Sequence, residues 1–471
     1  MEKIKKSDLV HFLGIGGCGM SAIAKIMLAK GYKVSGSDVK ESVNTIRLRD
    51  LGAKVYIGHN KDHLRYVDVV SVSTAIWDNN PEMIAAKELN LPIIKRAETL
   101  SWLMDQYEVK IAVSGTHGKT TTTGMFATLL DQCKLNPTFS VGGDVNGFNT
   151  NAQSGDGRYF VTEADESDGS ILFLNPNMLV VTNIEEDHLE YLGDLAGIEK
   201  LFWQVIEKLP AKATLVINQD NLSCKKLISR VKSEKLDIKM ITYGTTREAD
   251  YFMEDIKLDR YTGSALVSHG DKQLGRLELS IPGAHNLENA LSVIALGEEL
   301  GISFSQAQAA LQSFLGTKRR FQLIGEEKGI TVIDDFAHHP SEIKATLDAA
   351  KNGFKSRVIC VFQPHRYTRT MFLAKEFAAA FHDADVAIIT DIYAAGESPI
   401  RGVSGRSIFN EMKNGTKTYY VPKKELVSNK ALEILKEGDI FLTLGAGDIH
   451  TIAKEILMRL KEQTEEAKEL S

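Results

Sequence analysis

Ser114-Gly115-Thr116-His117-Gly118-Lys119-Thr120-Thr121 sets one lysine and two following threonines behind a pair of glycines. It lies between an apolar run, Lys110 to Val113, and a helix-like run, Thr121 to Leu130. In such a turn backbone amides cradle phosphates, a lysine reaches the β- and γ-phosphoryl oxygens, and a threonine hydroxyl holds Mg²⁺. Lys119 and Thr120 occupy those two positions, so ATP is the expected ligand. Gly115, Thr116, His117, Gly118 and Thr121 would complete its phosphate cradle. The turn is shorter than the common G-x-x-x-x-G-K-[ST] form, because Val113 stands five residues before Gly118. Downstream, Glu163-Ala164-Asp165-Glu166-Ser167-Asp168 packs four acids into six residues at the end of the apolar run Tyr159 to Thr162. Acids so crowded repel one another unless cations are present, and Glu166 or Asp165 could hold Mg²⁺. Glu185-Glu186-Asp187-His188 follows the next strand-like run, Met178 to Thr182, and His188 offers a second metal position.

A second glycine turn lies nearer the start of the chain. Gly14-Ile15-Gly16-Gly17-Cys18-Gly19 satisfies G-x-G-x-x-G between the strand-like Leu9 to Leu13 and the helical Ser21 to Ala29, and Asp38 ends the following strand. Glycines let the backbone approach a diphosphate seated on a helix N-terminus. Taken alone, the motif leaves a dinucleotide, another diphosphate and a tight turn all open. A nicotinamide-dependent oxidoreductase would bind NAD without needing ATP. A regulatory NTPase would release phosphate without a co-substrate.

These turns must be positioned by alternating strands and helices. Strand-like runs recur at Lys33 to Ser37, Lys54 to Ile57, Val67 to Val72 and Leu91 to Ile94, the last after the helix-like Pro81 to Glu88. They continue at Thr214 to Asn218, through a β-rich stretch Lys239 to Leu279, and to a helix Asn286 to Leu300. A third series comprises Ile330 to Ile333, Ser356 to Phe362, Val386 to Thr390, Thr418 to Val421 and Asp439 to Leu444. The pattern predicts an α/β fold of three domains, 1–107, 108–316 and 317–471, with ligands at the carboxyl ends of parallel strands. The length of 471 residues agrees with three domains of roughly 150 each. A net charge of -6, from 56 basic and 62 acidic residues, gives nucleic acid and anionic membranes no general attraction. Four scattered cysteines without a CxxC pair point to reduced thiols. No apolar run approaches the roughly 20 residues that span a bilayer, and Met1 to Asp8 has no signal-peptide character, so a cytoplasmic protein is expected.

Read together, Gly14 to Ser21, Gly115 to Thr120, Glu163 to Asp168 and Asp187-His188 resemble the Mur ligases. The likeness continues in order through His285-Asn286-Leu287-Glu288-Asn289-Ala290, Lys318-Arg319-Arg320-Phe321 and Asp334-Asp335-Phe336-Ala337-His338-His339-Pro340. It ends with Phe362-Gln363-Pro364-His365-Arg366-Tyr367-Thr368-Arg369 and Gly445-Ala446-Gly447-Asp448. GTHGKT marks the wider superfamily, whereas GIGGCGMS and EADESD point to the member that adds L-alanine to UDP-N-acetylmuramate. A relative that ligates murein tripeptide to the same nucleotide sugar is the alternative.

The resemblance implies a Rossmann-like UDP-N-acetylmuramate-binding domain, a central P-loop ATPase-type domain and a C-terminal Rossmann-like amino-acid-binding domain. It implies amide formation through an acyl phosphate, in peptidoglycan precursor synthesis, by a monomer or homodimer. Gly14, Gly16, Gly17, Gly19, Met20 and Ser21, with Asp38, Ser73, Thr74 and Ala75, would hold the UDP sugar. Two Mg²⁺ ions are implied, one on Thr120 and Glu166 and one on His188. Asn286 and Asn289 would meet the adenine nucleotide, though capping a helix would explain them equally well. Asp335 would accept a ribose hydroxyl. Arg320, at a predicted hinge, would reach the phosphates only when the third domain closes. His338, Arg366 and Arg369 would hold the alanine carboxylate and the phosphoryl intermediate. His339 and His365 fit structural and functional roles equally, and Lys200 is not expected to carry a carbamyl group.

Overall fold

Strands that read as unbroken apolar runs form parallel-rich sheets in the computed structural model, which describes residues 4–167, 169–187, 193–412 and 416–469. The chain divides into two compact units, Met1–Ile184 with Ala196–Tyr251 and Ser292–Leu311, and Glu185–Leu195 with Phe252–Leu291 and Gln312–Ser471.

The first unit opens with β1 (Leu9–Leu13), β2 (Lys33–Asp38), β3 (Lys54–Ile57), β4 (Val69–Val72) and β5 (Ile93–Lys95). They form a parallel sheet in the order β3-β2-β1-β4-β5. The chain leaves β1 to build one side of the sheet and returns beside β1, as β4, to build the other. The order therefore reverses between β1 and β4, and the crevice outside their carboxyl ends is where such sheets bind ligands. The first glycine turn leaves β1 at that point.

The same unit continues with β6 (Val109–Ser114), β7 (Thr138–Val145), β8 (Thr150–Gln153), β9 (Tyr159–Glu163), β10 (Met178–Val181), β11 (Thr214–Asn218) and β12 (Lys239–Gly244). Their order is β12-β11-β10-β6-β9-β7-β8. Parallel pairing of β6 with both β9 and β10 places the turns after these three strands side by side. The antiparallel β7–β8 pair was not anticipated from sequence: Gly142-Gly143 and Gly147 break the alternation that marks a strand, and its register is irregular between Ser140 and Val145.

In the second unit β13 (Tyr251–Asp259), β14 (Thr262–His269) and β15 (Lys272–Leu279) lie side by side, followed by a six-stranded sheet. That sheet contains β16 (Gln322–Glu327), β17 (Ile330–Asp335), β18 (Val358–Phe362), β19 (Val386–Ile389), β20 (Lys417–Tyr420) and β21 (Ile440–Leu444), in the order β16-β17-β21-β18-β19-β20. Every residue of β18 is buried because both faces are covered: Cys360 and Phe362 pack into one core, Ile359 and Val361 into the other. β16 is an antiparallel edge strand whose sequence, Gln-Leu-Ile-Gly-Glu-Glu, is too polar to have been read as one.

Candidate functional site

The glycine turn after β6 is stitched to the segment that follows β10. Thr116 N donates to Asn183 O at 2.9 Å, His117 N donates to Asn183 Oδ1 at 2.9 Å, and Thr182 Oγ1 donates to His117 O at 2.6 Å. Gly115 has φ +133°, and a Cβ there would lie 2.1 Å from Thr182 Oγ1 and 2.9 Å from Asn183 O, so no side chain fits. Gly118, at φ +83°, caps the helix Lys119–Gln132 in the left-handed region. The first bond inside this helix is Thr122 N to Gly118 O, which leaves the amides of Lys119, Thr120 and Thr121 without an intrahelical acceptor. A helix N-terminus of this kind favours phosphate.

Lys119 Nζ donates to Gly115 O at 2.6 Å, Thr116 O at 3.0 Å and Glu166 Oε1 at 2.9 Å. Thr120 Oγ1 donates to Glu163 Oε2 at 3.2 Å, and the other oxygen of Glu163 accepts Gly142 N. Burial opposes the lysine charge, but the carboxylates of Glu166, Asp165 and Glu163 outweigh it and raise the Lys119 pKa. Burial also raises the pKa values of Glu163 and Glu166, against the pull of Lys119. At Asp165 burial is overcome by Lys119 and by hydrogen bonds from Ser167, and the pKa falls. Glu166 Oε2 is buried with no hydrogen-bond partner. A buried orphan carboxylate oxygen in a group of hard oxygen donors that includes the Thr120 hydroxyl fits Mg²⁺, which takes one or two carboxylates and completes its shell with water and phosphate. Asp168 and His188 lie outside the described residues.

At the first glycine turn, Gly14 N and Ile15 N both donate to Ser37 O, at 2.9 and 3.0 Å, and Gly16 N donates to Asp38 Oδ2 at 2.9 Å. The expected Asp38 is therefore a clasp on the turn itself. Gly17 caps the helix Cys18–Ala29 and Ser21 N bonds to Gly17 O, so the amides of Cys18, Gly19 and Met20 have no acceptor within the helix. Met20 and Ser21 were expected among the sugar contacts, yet both side chains are buried and Ser21 Oγ donates to Cys18 O at 2.9 Å. Ser73 begins the neighbouring turn after β4: a Cβ on Gly14 would lie 3.2 Å from Ser73 Cβ, Ile76 N bonds to Ser73 O, and Ala75 N donates to Ser73 Oγ at 3.3 Å. Thr74 lies in the same turn. Sequence reasoning missed Arg96. A Cβ on Gly19 would lie 3.3 Å from Arg96 Nη1, which puts a guanidinium beside the turn, and Arg96 Nη2 donates to Ser170 Oγ at 3.2 Å. Nothing in the local sequence marked it, because it comes from the helix that follows β5.

The second unit carries the remaining expected residues. Arg369 is buried and donates through Nε and Nη2 to Asp187 Oδ1, at 3.2 and 3.0 Å, and its Nη1 lies 3.4 Å from His365 Nδ1. Asp187, named in the sequence only as part of a motif, is thus the counter-ion of Arg369. Arg366 sits at φ +72° at the start of the helix Tyr367–Ala380, and its N bonds to Tyr393 O; so strained a backbone marks a position held for a purpose. Burial, aided by Arg369, pulls the His338 imidazole down to about 4. Burial with His338, Arg369 and Arg366 pulls His365 to about 3. Both rings are neutral at pH 7, so they can hydrogen-bond but add no charge to an anion site. His338 Nδ1 is 2.9 Å from Phe336 O and 3.2 Å from Glu342 Oε2, two acceptors that assign the proton to Nδ1 and leave Nε2 as a lone pair.

Asp335 ends β17, where its oxygens accept Phe321 N and Ala337 N, each at 2.7 Å. Burial lifts its carboxyl to about 6 against the opposing charge of Arg320. Arg320 Nη1 donates to Glu342 Oε1 at 3.1 Å. Its neighbour Arg319 is structural: it bonds Asp334 Oδ2 at 2.9 Å and the Gly445 and Gly447 carbonyls at 2.7 and 3.2 Å. Asn286 Nδ2 donates to Pro282 O at 2.6 Å, tying the turn that enters the helix Ala284–Glu299, and Asn289 is buried on the next turn of that helix. His339 Nε2 is 2.8 Å from Glu186 O and its Nδ1 is 2.7 Å from Ser341 Oγ.

Three family models match consecutive stretches of the chain: Mur ligase family, catalytic domain, over 9–108; Mur ligase middle domain over 113–297; and Mur ligase, glutamate ligase domain, over 319–447. A protein of Geotalea daltonii named UDP-N-acetylmuramate–L-alanine ligase is 45% identical, covering 97% of this chain and 99% of its own length. One of the same name from Pelotomaculum thermopropionicum is 47% identical, with 97% and 98% coverage. Among solved structures, the UDP-N-acetylmuramate-alanine ligase of Thermotoga maritima matches with TM-score 0.81 and 31% identity, over 97% of this chain and all of that one (100%). A murein peptide ligase of Psychrobacter arcticus matches with TM-score 0.70 and 25% identity, over 96% and 99%.

Proposed function

We infer, from the premise that this chain belongs to the Mur ligase family, that it joins L-alanine to UDP-N-acetylmuramate in an ATP-dependent reaction of peptidoglycan precursor synthesis. The observation that carries the substrate assignment is 44–47% identity, over nearly the whole chain, to relatives bearing that ligase name. The murein tripeptide alternative is not favoured, its solved relative matching less well in both fold and identity.

A carboxylate is a poor acyl donor at neutral pH. Its oxygen therefore first attacks the γ-phosphorus of ATP, ADP leaves, and an acyl phosphate forms. The alanine amine then attacks the acyl carbon, gives up a proton, and the tetrahedral adduct expels phosphate. Both steps gather negative charge, so the protein must supply amides and cations rather than a nucleophile. The amides of Lys119 to Thr121 receive the phosphates, and Lys119 exchanges its contact with Glu166 for phosphoryl oxygens. Thr120 and Glu166 would hold Mg²⁺, with Glu163 and Asp165 beside them. The ion would neutralise charge on the transferring phosphoryl group. A second ion would rest on His188.

In the first unit, the amides at the start of the helix Cys18–Ala29, together with Arg96, take the UDP diphosphate. In the second unit, Arg366 and Arg369 supply charge for the alanine carboxylate and the phosphoryl intermediate. Neutral His338 would accept the amine proton at Nε2. Asn286, Asn289, Arg320 and Asp335 serve the adenine nucleotide. The three domains are set at 1–107, 108–316 and 317–471. The chain would work in the cytoplasm, as a monomer or homodimer; its four cysteines are free thiols, and no helix among the described residues is long and apolar enough to cross a membrane. A phosphate-release assay with UDP-N-acetylmuramate and ATP, comparing L-alanine with murein tripeptide, tests the reading. Release that depends on L-alanine supports it, whereas release with the tripeptide alone, or without any acceptor, overturns it.

A further inference from the structure

Beneath the first glycine turn lies a polar cluster that neither nucleotide assignment uses. Glu82 is fully buried at the start of the helix Pro81–Glu88, whose Asn80 cap accepts Glu82 N and whose dipole favours a carboxylate there. Three histidines and a serine converge on it from three other segments. His63 Nδ1 is 2.6 Å from Glu82 Oε1, which also accepts Asn60 N at 3.2 Å. His59 Nδ1 is 3.1 Å from Glu82 Oε2, which also accepts Ser37 Oγ. His11 Nε2, buried in β1 with no hydrogen-bond partner, lies 3.6 Å from the same oxygen. Tyr56 stacks on His63 at 3.9 Å and closes that side. Burial would push the Glu82 carboxyl up, but the nearby His11 ring and hydrogen bonds from Ser37 and His63 outweigh it and hold it at about 2, so it is charged at neutral pH.

The placement of this carboxylate matters because Ser37 has two sides. Its hydroxyl is bonded to Glu82, while its carbonyl accepts the amides of Gly14 and Ile15. The next residue, Asp38, accepts Gly16 N, and its own carbonyl accepts Gly58 N, one residue before His59. Glu82 thus fastens the end of β2 and the loop after β3, and the end of β2 in turn fastens the glycine turn. We propose that Glu82 is a positioning residue for UDP-N-acetylmuramate, acting through Ser37 to fix the amides of the first glycine turn. This rests on the reading of that turn as the nucleotide-sugar site.

The test is steady-state kinetics of Glu82→Gln in the full chain, with each substrate varied in turn. The amide keeps the volume but loses the charge and one acceptor. The KM for UDP-N-acetylmuramate is expected to rise about tenfold or more, with the KM values for ATP and L-alanine within about twofold and kcat within about threefold. A Ser37→Ala variant removes the hydroxyl that joins β2 to Glu82 and, at 2.9 Å, to His59 Nδ1, leaves the Ser37 carbonyl on the turn, and should raise the same KM. It decides the matter if Glu82→Gln does not fold. An unchanged sugar KM in either folded variant overturns the proposal, as does a parallel rise in all three KM values, which is what general loosening would give. Asp38→Ala separates the two levels of inference. If it raises the sugar KM while Glu82→Gln and Ser37→Ala do not, only the role of Glu82 falls. If none of the three does, the turn is not the sugar site and the proposal falls with that reading.

Discussion

Removing Lys119 should do two separable kinds of damage. Its ammonium sits 2.9 Å from Glu166 Oε1, with side-chain exposures of 17% and 3%, so the pair is largely shielded from water. At an effective dielectric of about 20 the gross attraction at this distance is about 6 kcal/mol, most of it offset by desolvation of the two ions. Truncating one partner of a buried pair strands the other, at a cost of about 3–5 kcal/mol. Because Glu166 Oε2 already lacks a partner, Lys119→Ala would leave the carboxylate with neither counter-ion nor donor on that side. Lys119→Ala is therefore expected to lose about 3–5 kcal/mol of stability in metal-free buffer. The double variant Lys119→Ala/Glu166→Gln should regain about 2 kcal/mol or more of that loss, since a neutral amide needs no counter-ion. Both variants should fall about 10²–10³-fold or further in L-alanine-dependent phosphate release, because the charge that meets the phosphates is gone in each. Urea unfolding of the four proteins of the cycle, beside the phosphate assay, measures both effects. A coupling energy below about 0.5 kcal/mol would refute the reasoning, for it would mean that the two charges do not depend on each other.

Gly115→Ala should weaken nucleotide binding, because the new methyl would overlap Thr182 Oγ1 and meet the Asn183 backbone; calorimetric titration with ADP would show at least a tenfold weaker Kd, and wild-type affinity would refute the geometry. Arg369→Ala strands Asp187 in a buried site and is expected to cost about 3–5 kcal/mol, read as a fall in urea midpoint, which Arg369→Lys should only partly recover because one ammonium cannot reproduce the two guanidinium donors. Asp335 has a folded-state pKa raised to about 6 from an ordinary 3.8, so the native state holds its proton more tightly and stability falls as pH rises through that window. The stability of Asp335→Asn relative to the parent should therefore improve between about pH 4 and pH 6, by up to about 3 kcal/mol, and a pH-independent difference in paired urea titrations would contradict the assigned shift.

The elements that position the site were legible wherever the strand is buried on both faces. Leu9–Leu13 and Thr214–Asn218 appear in the structure with the bounds the sequence suggested, because runs of Val, Ile and Leu between turn residues have no other economical home. Edge strands that are polar or broken by glycine were not legible. β7 and β8 carry paired glycines, and β16 is polar, so their strand character comes from a neighbour's hydrogen bonds rather than from their own composition. In the candidate site, the residue types that touch phosphate announced themselves by spacing. The residues that hold those residues did not. Asn183, Glu163, Asp187, Arg96 and Glu82 all act on partners far away in the chain, and spacing carries no information about partners 20 or more residues away. Burial also decides chemistry that spacing could not read: His338, expected beside Arg366 and Arg369 at the alanine carboxylate, and His365, left open between structural and functional roles, are both made neutral by the fold.

The two glycine turns solve different electrostatic problems, which accounts for the distribution of charge in a chain of net charge -6. On the proposed assignment, the first has only to hold a diphosphate that does not react. Helix amides and one guanidinium, Arg96, suffice, and the nearby Asp38 and Glu82 are occupied in accepting hydrogen bonds from the protein itself. The second must hold a triphosphate whose terminal group is transferred, where charge migrates during the reaction. There the chain places three carboxylates, Glu163, Asp165 and Glu166, against a single lysine. Alone, that arrangement would repel ATP. Under the proposed function it would become favourable when a divalent cation arrived with the nucleotide and took the oxygens that the lysine leaves unpaired, and the acids would then favour ATP as its metal complex over the free anion. The excess of acid beside the phosphate loop is thus a requirement of phosphoryl transfer, and its absence from the first turn is what distinguishes a site for holding from a site for reaction.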